Sequence, residues 1–361
     1  MSPSPHTPRA PHEFTSAPAE GYGSRLVDVE IPPADIVLVD VEIPPADIVL
    51  VGAGPRGIMI LERILAWHAA HHPAPLRITL VDPFPPGAGR LWRERDLLDQ
   101  AVTECAAAIT VFTDSSCHIR GPIRPGPSLS EWAAGTRNSA PRLGPEAEDP
   151  TVQELASLTG RSVPSRRLVG RYLTWSYREI LTRAHPRARV RWVRGEAVAL
   201  AAAPEIPGRL PRRHRVELLD GRAIDTTTVL FAVGSLGSNS RPARDGHSVP
   251  GSHSVRDALL RQLLDAGFAR PSAALPGTSQ RTTLVASAAG HLLGPFADSL
   301  FAAGQVAEAL PMDPLVRPHT DSPALRYVDA VAEAVLASLT ATPAESLGGI
   351  RSTRPAASLH V

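Results

Sequence analysis

The run DIVLV, Asp47 to Val51, passes without a spacer into Gly52-Ala53-Gly54-Pro55-Arg56-Gly57. Four consecutive aliphatic residues suit a strand buried on both faces of a parallel sheet. The stretch that follows, GPRGIMILERILAWHAAHH, carries apolar residues at Ile58, Ile60, Leu61, Ile64, Leu65 and Trp67, the spacing of a helix laid across such a sheet. LRITLVD, residues 76 to 82, reads as a second strand. Strand, glycine turn, helix and strand make a βαβ unit, which puts the chain in the α/β class with a Rossmann-like order.

The turn fits G-x-G-x-x-G, and each glycine has its own reason. Gly52 permits the sharp exit from the strand, Gly54 lets backbone approach a pyrophosphate without a Cβ between them, and Gly57 lets the helix pack closely on the sheet. The helix that opens there directs its unpaired amides and positive dipole end at the phosphates. Asp82 ends the second strand, where a carboxylate can accept hydrogen bonds from ribose hydroxyls. Its distance from the turn exceeds the usual roughly 20 residues, a difference that a long helix and the AHHPAP loop absorb.

A twelve-residue phrase occurs twice in tandem, as Asp28 to Val39 and as Asp40 to Val51. Only the second copy feeds the glycines, because Val39 is followed by Asp40, Val41 and Glu42. The first copy is expected to be a spare left by an in-frame duplication.

A length of 361 residues with 43% hydrophobic content allows one large core or two modest ones. The net charge of +1 gives no field to gather nucleic acid or an anionic membrane, although every basic side chain of the Lys and Arg class is an arginine. Cys105 and Cys117 lie too far apart for a CxxC centre and read as idle thiols. No apolar run reaches membrane-spanning length, and the proline-rich residues 1–27 lack a signal-peptide core, so a cytoplasmic protein with a disordered arm is expected.

Beyond Pro83 the sequence reads as loop up to about Pro150, with ordered pieces at AVTECAAAITVFTD and SLSEWAAG. A helix is expected over residues 165–184, then strands around RVRWVRG, EAVALAA, RHRVELLD and TTTVLFAVGS, forming a small β-meander that returns to the main sheet. Later segments read as a helix at VRDALLRQLLDAG, a strand at RTTLVASA, and helices at LLGPFADSLFAAG and ALRYVDAVAEAVLASL. Residues 341–361 read as a tail.

Taken in order, DIVLVGAGPRGIMILERIL, VDPFPPGAGRLW, ITVFTD, GPSLSEWA and SRRLVGRYLTW resemble the bacterial FAD/NAD(P)-binding proteins whose first domain opens with a GxGPRG turn. The likeness covers roughly residues 46–240. It implies a Rossmann-like, three-layer FAD-binding domain of the two-dinucleotide-binding flavoprotein type. On that resemblance Gly52, Gly54, Pro55, Arg56 and Gly57 surround the FAD pyrophosphate, Asp82 meets the ribose, and Arg90 and Trp92 lie near the flavin half. Ala232, Val233 and Gly234 take the place of a late small-residue turn close to the cofactor. The chain has Asp99-Gln100-Ala101 where such proteins carry Met-Asn-Thr. Residues 241–340 are expected to form a reduced second lobe, with Ser287 to Gly290 as an imperfect remnant of a second nucleotide turn.

His118, His247, His253, His291 and His319 show no metal-ligand spacing, and Ser235 and Ser287 lack a nucleophile elbow. The pairs Arg166-Arg167 and Arg212-Arg213 read as solvated surface, and Tyr172 and Trp175 as core. The function expected is that of a flavin-dependent oxidoreductase, more sharply a monooxygenase acting on a small-molecule substrate. NADPH, NADH or a separate flavin reductase would be the electron source. The alternative is a non-redox cyclase or binding protein that retains the cofactor scaffold; an NAD-only dehydrogenase fits the resemblance less well.

Overall fold

The computed structural model describes residues 42–71, 74–90, 92, 102–139, 150–204, 213–233, 252–271, 284–304 and 323–340. The expected arm, the first copy of the repeat, Asp99-Gln100-Ala101, Gly234 and the expected tail lie outside the described residues.

A seven-stranded sheet organises the chain. Strands β1 (Ala46–Val51), β2 (Leu76–Asp82), β3 (Ala188–Arg194), β4 (Ala197–Ala202), β5 (His214–Leu218) and β6 (Ala223–Phe231) follow the order β3-β2-β1-β6-β5-β4, and β7 (Leu300–Ala302) pairs with β6. β1 is parallel to both β2 and β6, with Val51 in register with Val81 on one side and Phe231 on the other. Of the four strands expected after the long helix, the first, β3, joins the parallel sheet beside β2. The next two form the meander, antiparallel to each other and to the start of β6.

β6 serves two neighbours along one edge. Its lower residues, Ala223 to Thr226, pair with β5, and Val229 to Phe231 pair with β7 in parallel. This division explains why the helix expected at residues 292–304 is absent. Gly294 and Pro295 interrupt the run, and the amides beyond them are spent on other partners: Ala302 N donates to Gly290 O at 2.8 Å and Ala303 N to Phe231 O at 2.8 Å. An open upper edge on β6 outweighs the helical spacing of the apolar residues. The strand expected at RTTLVASA reduces to single bridges, Leu284 with Pro271 and Ala286 with Leu292.

Helices cover one face and the meander covers the other. On β1, Ile48 and Leu50 pack against α1 (Pro55–His71), α4 (Arg166–Thr182) and α6 (Pro323–Thr340), while Val49 and Val51 face a second core with Leu200, Val216 and Leu218. α5 (Ser252–Asp265) closes that second core through Leu259, Leu260 and Leu263. The arrangement is the three-layer α/β fold expected. Two helices stand between β2 and α4: α2 (Leu129–Ser139), opened by a Ser128–Glu131 capping box, and α3 (Pro150–Ser157), which the sequence did not announce. Tyr172 is fully buried against Trp132 and Trp175, as expected of core residues.

A buried ionic latch ties the two ends of the described chain together. Arg63, 1% exposed, donates twice to Glu62 at 2.5 and 2.8 Å and once to Pro122 O at 2.7 Å. Asp329 of α6 stands 3.7 Å from the same guanidinium. It accepts from Trp67 Nε1 at 2.9 Å, Arg120 N at 3.0 Å and Gly121 N at 2.8 Å. α1, α6 and the 110–124 segment thereby share one set of compensated charges, the condition under which buried ions are tolerated.

Candidate functional site

The carboxyl ends of β1, β2, β6 and β7 meet at one edge of the sheet, where ligands of open α/β sheets bind. Each strand end is pinned to its neighbour. Gly52 N donates to Val81 O at 2.9 Å and Ala232 N to Val51 O at 2.8 Å, so the glycine turn starts from a fixed frame.

The three glycines do different jobs. Gly52 has φ +102°, and a Cβ there would stand 2.7 Å from Ala232 O, so both conformation and space demand glycine. A Cβ on Gly57 would collide with Gly52 O and press on Leu50, which makes this glycine a closure of the turn on itself as well as a contact to the sheet. Among the described residues, an added Cβ at Gly54 would meet Gly89 Cα at an ordinary 3.7 Å contact. A side chain at Gly54 is therefore under less steric pressure than one at Gly52 or Gly57.

These features fit a dinucleotide phosphate. Pro55 at the first position of α1 gives up an amide that would have no intrahelical acceptor in any case. The first turn of α1 carries no acidic residue to compete for its amides. Arg56 supplies charge nearby: burial pulls its guanidinium below the usual arginine range, with Tyr327 opposing. The Arg56 side chain lies over Gly304, whose φ of +95° ends the segment after β7, so it also braces that crossing against the turn. Tyr327, its own hydroxyl pushed up to about 12 by burial, donates to Ala302 O at 2.8 Å.

Asp82 is buried and engaged through both carboxylate oxygens. Oδ2 accepts from Ala53 N at 2.8 Å and Oδ1 from Phe84 N at 2.8 Å. It thus links the glycine turn to the end of β2.

The segment after Asp82 folds back onto the turn. Gly87 N donates to Ala53 O at 2.9 Å, and Gly89, at φ +61°, packs against Gly54. Arg90 is half-buried and Trp92 only 9% exposed, so the structure brings both to the neighbourhood of the turn. Arg166, read from sequence as solvated surface, instead stacks on Trp92 at 5.5 Å. Arg213 is paired with Asp298. The sequence reading also missed Gly87, Gly89 and Gly170; the glycine pair in PPGAG was the available signal.

Ser287 to Gly290 is not a second nucleotide turn. Gly290 N donates to Ser287 O at 2.9 Å and Ser287 N donates to His291 O at 2.9 Å, so the segment doubles back as a hairpin where a nucleotide turn would open a helix. His291 in that hairpin stacks on Phe301 at 4.5 Å, a packing contact. Cys105 and Cys117 are free thiols. Among the described residues no helix is long and apolar enough to cross a membrane.

Comparison with known proteins places these features in a family. A model described as FAD-NAD(P)-binding matches residues 49–236, just over half of the chain. An L-aspartate N-monooxygenase (nitrosuccinate-forming) of Streptomyces davaonensis is 36% identical over 179 residues, covering 48% of this chain and 27% of that protein. The protein of the same description from Streptomyces cremeus is 40% identical over 162 residues, covering 44% of this chain and 24% of its own length. This chain therefore spans about a quarter of the length of the curated relatives it matches. Among solved structures, the GidA-related protein of Thermus thermophilus is similar over 81% of this chain and 98% of that one, at 15% identity and a TM-score of 0.39.

Proposed function

The chain belongs to the FAD-NAD(P)-binding family, and on that premise we propose that it is a flavin-dependent monooxygenase acting on a small amine-bearing metabolite. L-Aspartate or a similar short amino acid is the substrate that the Streptomyces relatives suggest. The observation that carries the proposal is the strand-to-helix glycine turn, in which glycine is required at Gly52 and Gly57 by close backbone contacts, inside the stretch matched to the family.

FAD, when bound, supplies the two-electron chemistry and the activation of oxygen. This chain's residues hold and orient it. Gly54 admits the pyrophosphate, Gly52 and Gly57 fix the turn, and Pro55 starts a helix whose amides and dipole meet the phosphates. Arg56 adds charge from its braced position. Asp82 at the end of β2 would meet the ribose, and Arg90 and Trp92 would border the flavin half. Electrons come from NADPH or NADH. The hairpin at Ser287 to Gly290 favours a second reading in which a separate flavin reductase delivers them.

Purified protein should show an oxidised-flavin spectrum, and anaerobic mixing with NADPH or NADH should bleach it. With oxygen and L-aspartate, nitrosuccinate should be found by mass spectrometry. Slow bleaching with turnover restored by a flavin reductase would select the second reading. Absence of flavin binding in refolded and FAD-supplemented protein would end the proposal.

A further inference from the structure

α4 touches the segment after Asp82 along one stripe. Arg166, Gly170, Leu173 and Thr174 lie on a single face of this helix, spaced four, three and one residues apart. Arg166 stacks on Trp92. A Cβ on Gly170 would stand 2.9 Å from Trp92 O and 3.7 Å from Ala88 Cβ. On the segment itself, a Cβ at Gly87 would come 2.6 Å from Leu173 O and 2.8 Å from Thr174 Cα. On its other side, a Cβ at Gly89 would reach 3.0 Å from Gly54 Cα. The segment is thus a single backbone layer between α4 and the glycine turn, and glycine stands wherever a Cβ would thicken that layer.

We propose that α4 is a positioning element for the cofactor, its Gly170 and Arg166 holding the Pro83–Arg90 segment and Trp92 closed on the glycine turn. The inference rests on the proposed seating of FAD at that turn. Gly170 sets how near the layer comes, since its absent side chain is what lets Trp92 carbonyl settle on the helix. Arg166 fixes the indole by cation–π contact one helical turn earlier. Neither residue touches the turn itself. Their effect passes through Trp92 and Ala88 to Gly89 and Gly54, and it decides where Arg90 and Trp92 stand relative to the flavin half.

Ordinary core packing makes a different prediction from positioning, because it would change stability and leave cofactor affinity behind. The full-length wild type, Gly170→Ala, Arg166→Met and Arg166→Lys are stripped of flavin and compared by far-UV circular dichroism, thermal melting and FAD titration. Alanine is the better helix former, so α4 itself is not weakened in Gly170→Ala. Its apoprotein should keep a wild-type spectrum and melt within a few degrees of wild type, while its Kd for FAD rises by about tenfold or more. Arg166→Met should raise Kd by about threefold to tenfold, and Arg166→Lys should recover most of that loss. A folded Gly170→Ala that binds FAD within about twofold of wild type overturns the proposal. If Gly170→Ala does not fold, equal affinities in wild type and Arg166→Met overturn it, and weakened binding restored by Arg166→Lys supports it. Wild-type protein that binds no FAD overturns the proposed function and this inference together.

Discussion

α1 carries two centres of constraint about two helical turns apart, and they are built on opposite principles. At its start the glycine turn works by leaving things out: no Cβ at Gly52 or Gly57, where backbone stands too close for one, and none at Gly54, where Gly89 packs. In its middle the latch works by putting things in, with Glu62, Arg63 and Asp329 brought into the interior and paired there. The glycines of the turn lie within six residues of one another, whereas the latch joins Trp67 to Asp329 across 262 residues. The first prepares a surface for a ligand, and the second holds the frame that keeps this surface in place.

The largest effect is expected from breaking the latch. Asp329→Ala leaves Trp67 Nε1 and the amides of Arg120 and Gly121 without their acceptor and withdraws one of two carboxylates from Arg63. The loss of stability should be about 3 to 5 kcal/mol, read from urea denaturation of the apoprotein. Asp329→Asn keeps one acceptor and should fall between the two. A loss under about 1 kcal/mol for the alanine variant would mean that the latch does not hold the frame.

The turn offers a sharper division within itself. Gly52→Ala combines a positive φ with overlap on Ala232, and the conformational cost alone is roughly 1 to 3 kcal/mol. Gly54→Ala meets neither obstacle and should change apoprotein stability by about 0.5 kcal/mol or less, while weakening FAD binding in calorimetric titration. If the two variants are equally destabilised, the assignment of different jobs to the two glycines is wrong.

His214 belongs to neither centre and gives an effect that only a change of pH reveals. It is fully buried, with Nε2 2.9 Å from Ser299 Oγ and its ring edge-on to Phe296. Burial, helped by Arg213 and opposed by Asp298, lowers its pKa to about 4. A folded value below the unfolded one of about 6.5 favours the neutral ring. Its contribution is therefore complete above about pH 6.5 and is lost as pH falls toward 4. Between pH 7 and pH 5 the loss is about 2 kcal/mol, and His214→Gln should remove that part of the slope. Matching pH profiles in the two proteins would contradict the assignment.

What the sequence disclosed divides along the same line. β1, α1 and β2 were legible because each declares itself within a few residues: an aliphatic run, three glycines at fixed spacing and a 3.6-residue period. Tyr172 and Trp175 were legible as core for the same reason. β7 was not, because Leu300 to Ala302 become a strand only through the vacant edge of β6, which lies some seventy residues earlier in the chain. Arg166 looked like surface because no local signal tells an arginine that it will lie on Trp92. Asp82 was legible as the end of β2, yet its backbone donors Ala53 and Phe84 could be seen only in the fold. Arg63 in a helix reads as ordinary amphipathic decoration until Asp329 arrives to meet it.

The divided edge of β6 bears on how such a chain can be recombined. Along that edge its lower four residues pair with the meander and its upper three with β7, with Thr227 and Thr228 between them. Residues 197–218 can therefore be exchanged between relatives as a cassette that leaves in place Gly195, whose amide donates to Asp82 O at 3.3 Å. Further joins to match include Gln262 of α5, which holds both backbone groups of Leu200 at 3.1 and 2.9 Å, Asp298, paired with Arg213, and Ser299, bonded to His214. A library that moves the meander together with α5 would vary the far face of the sheet while the glycine turn and the Gly195 bond to Asp82 stayed constant.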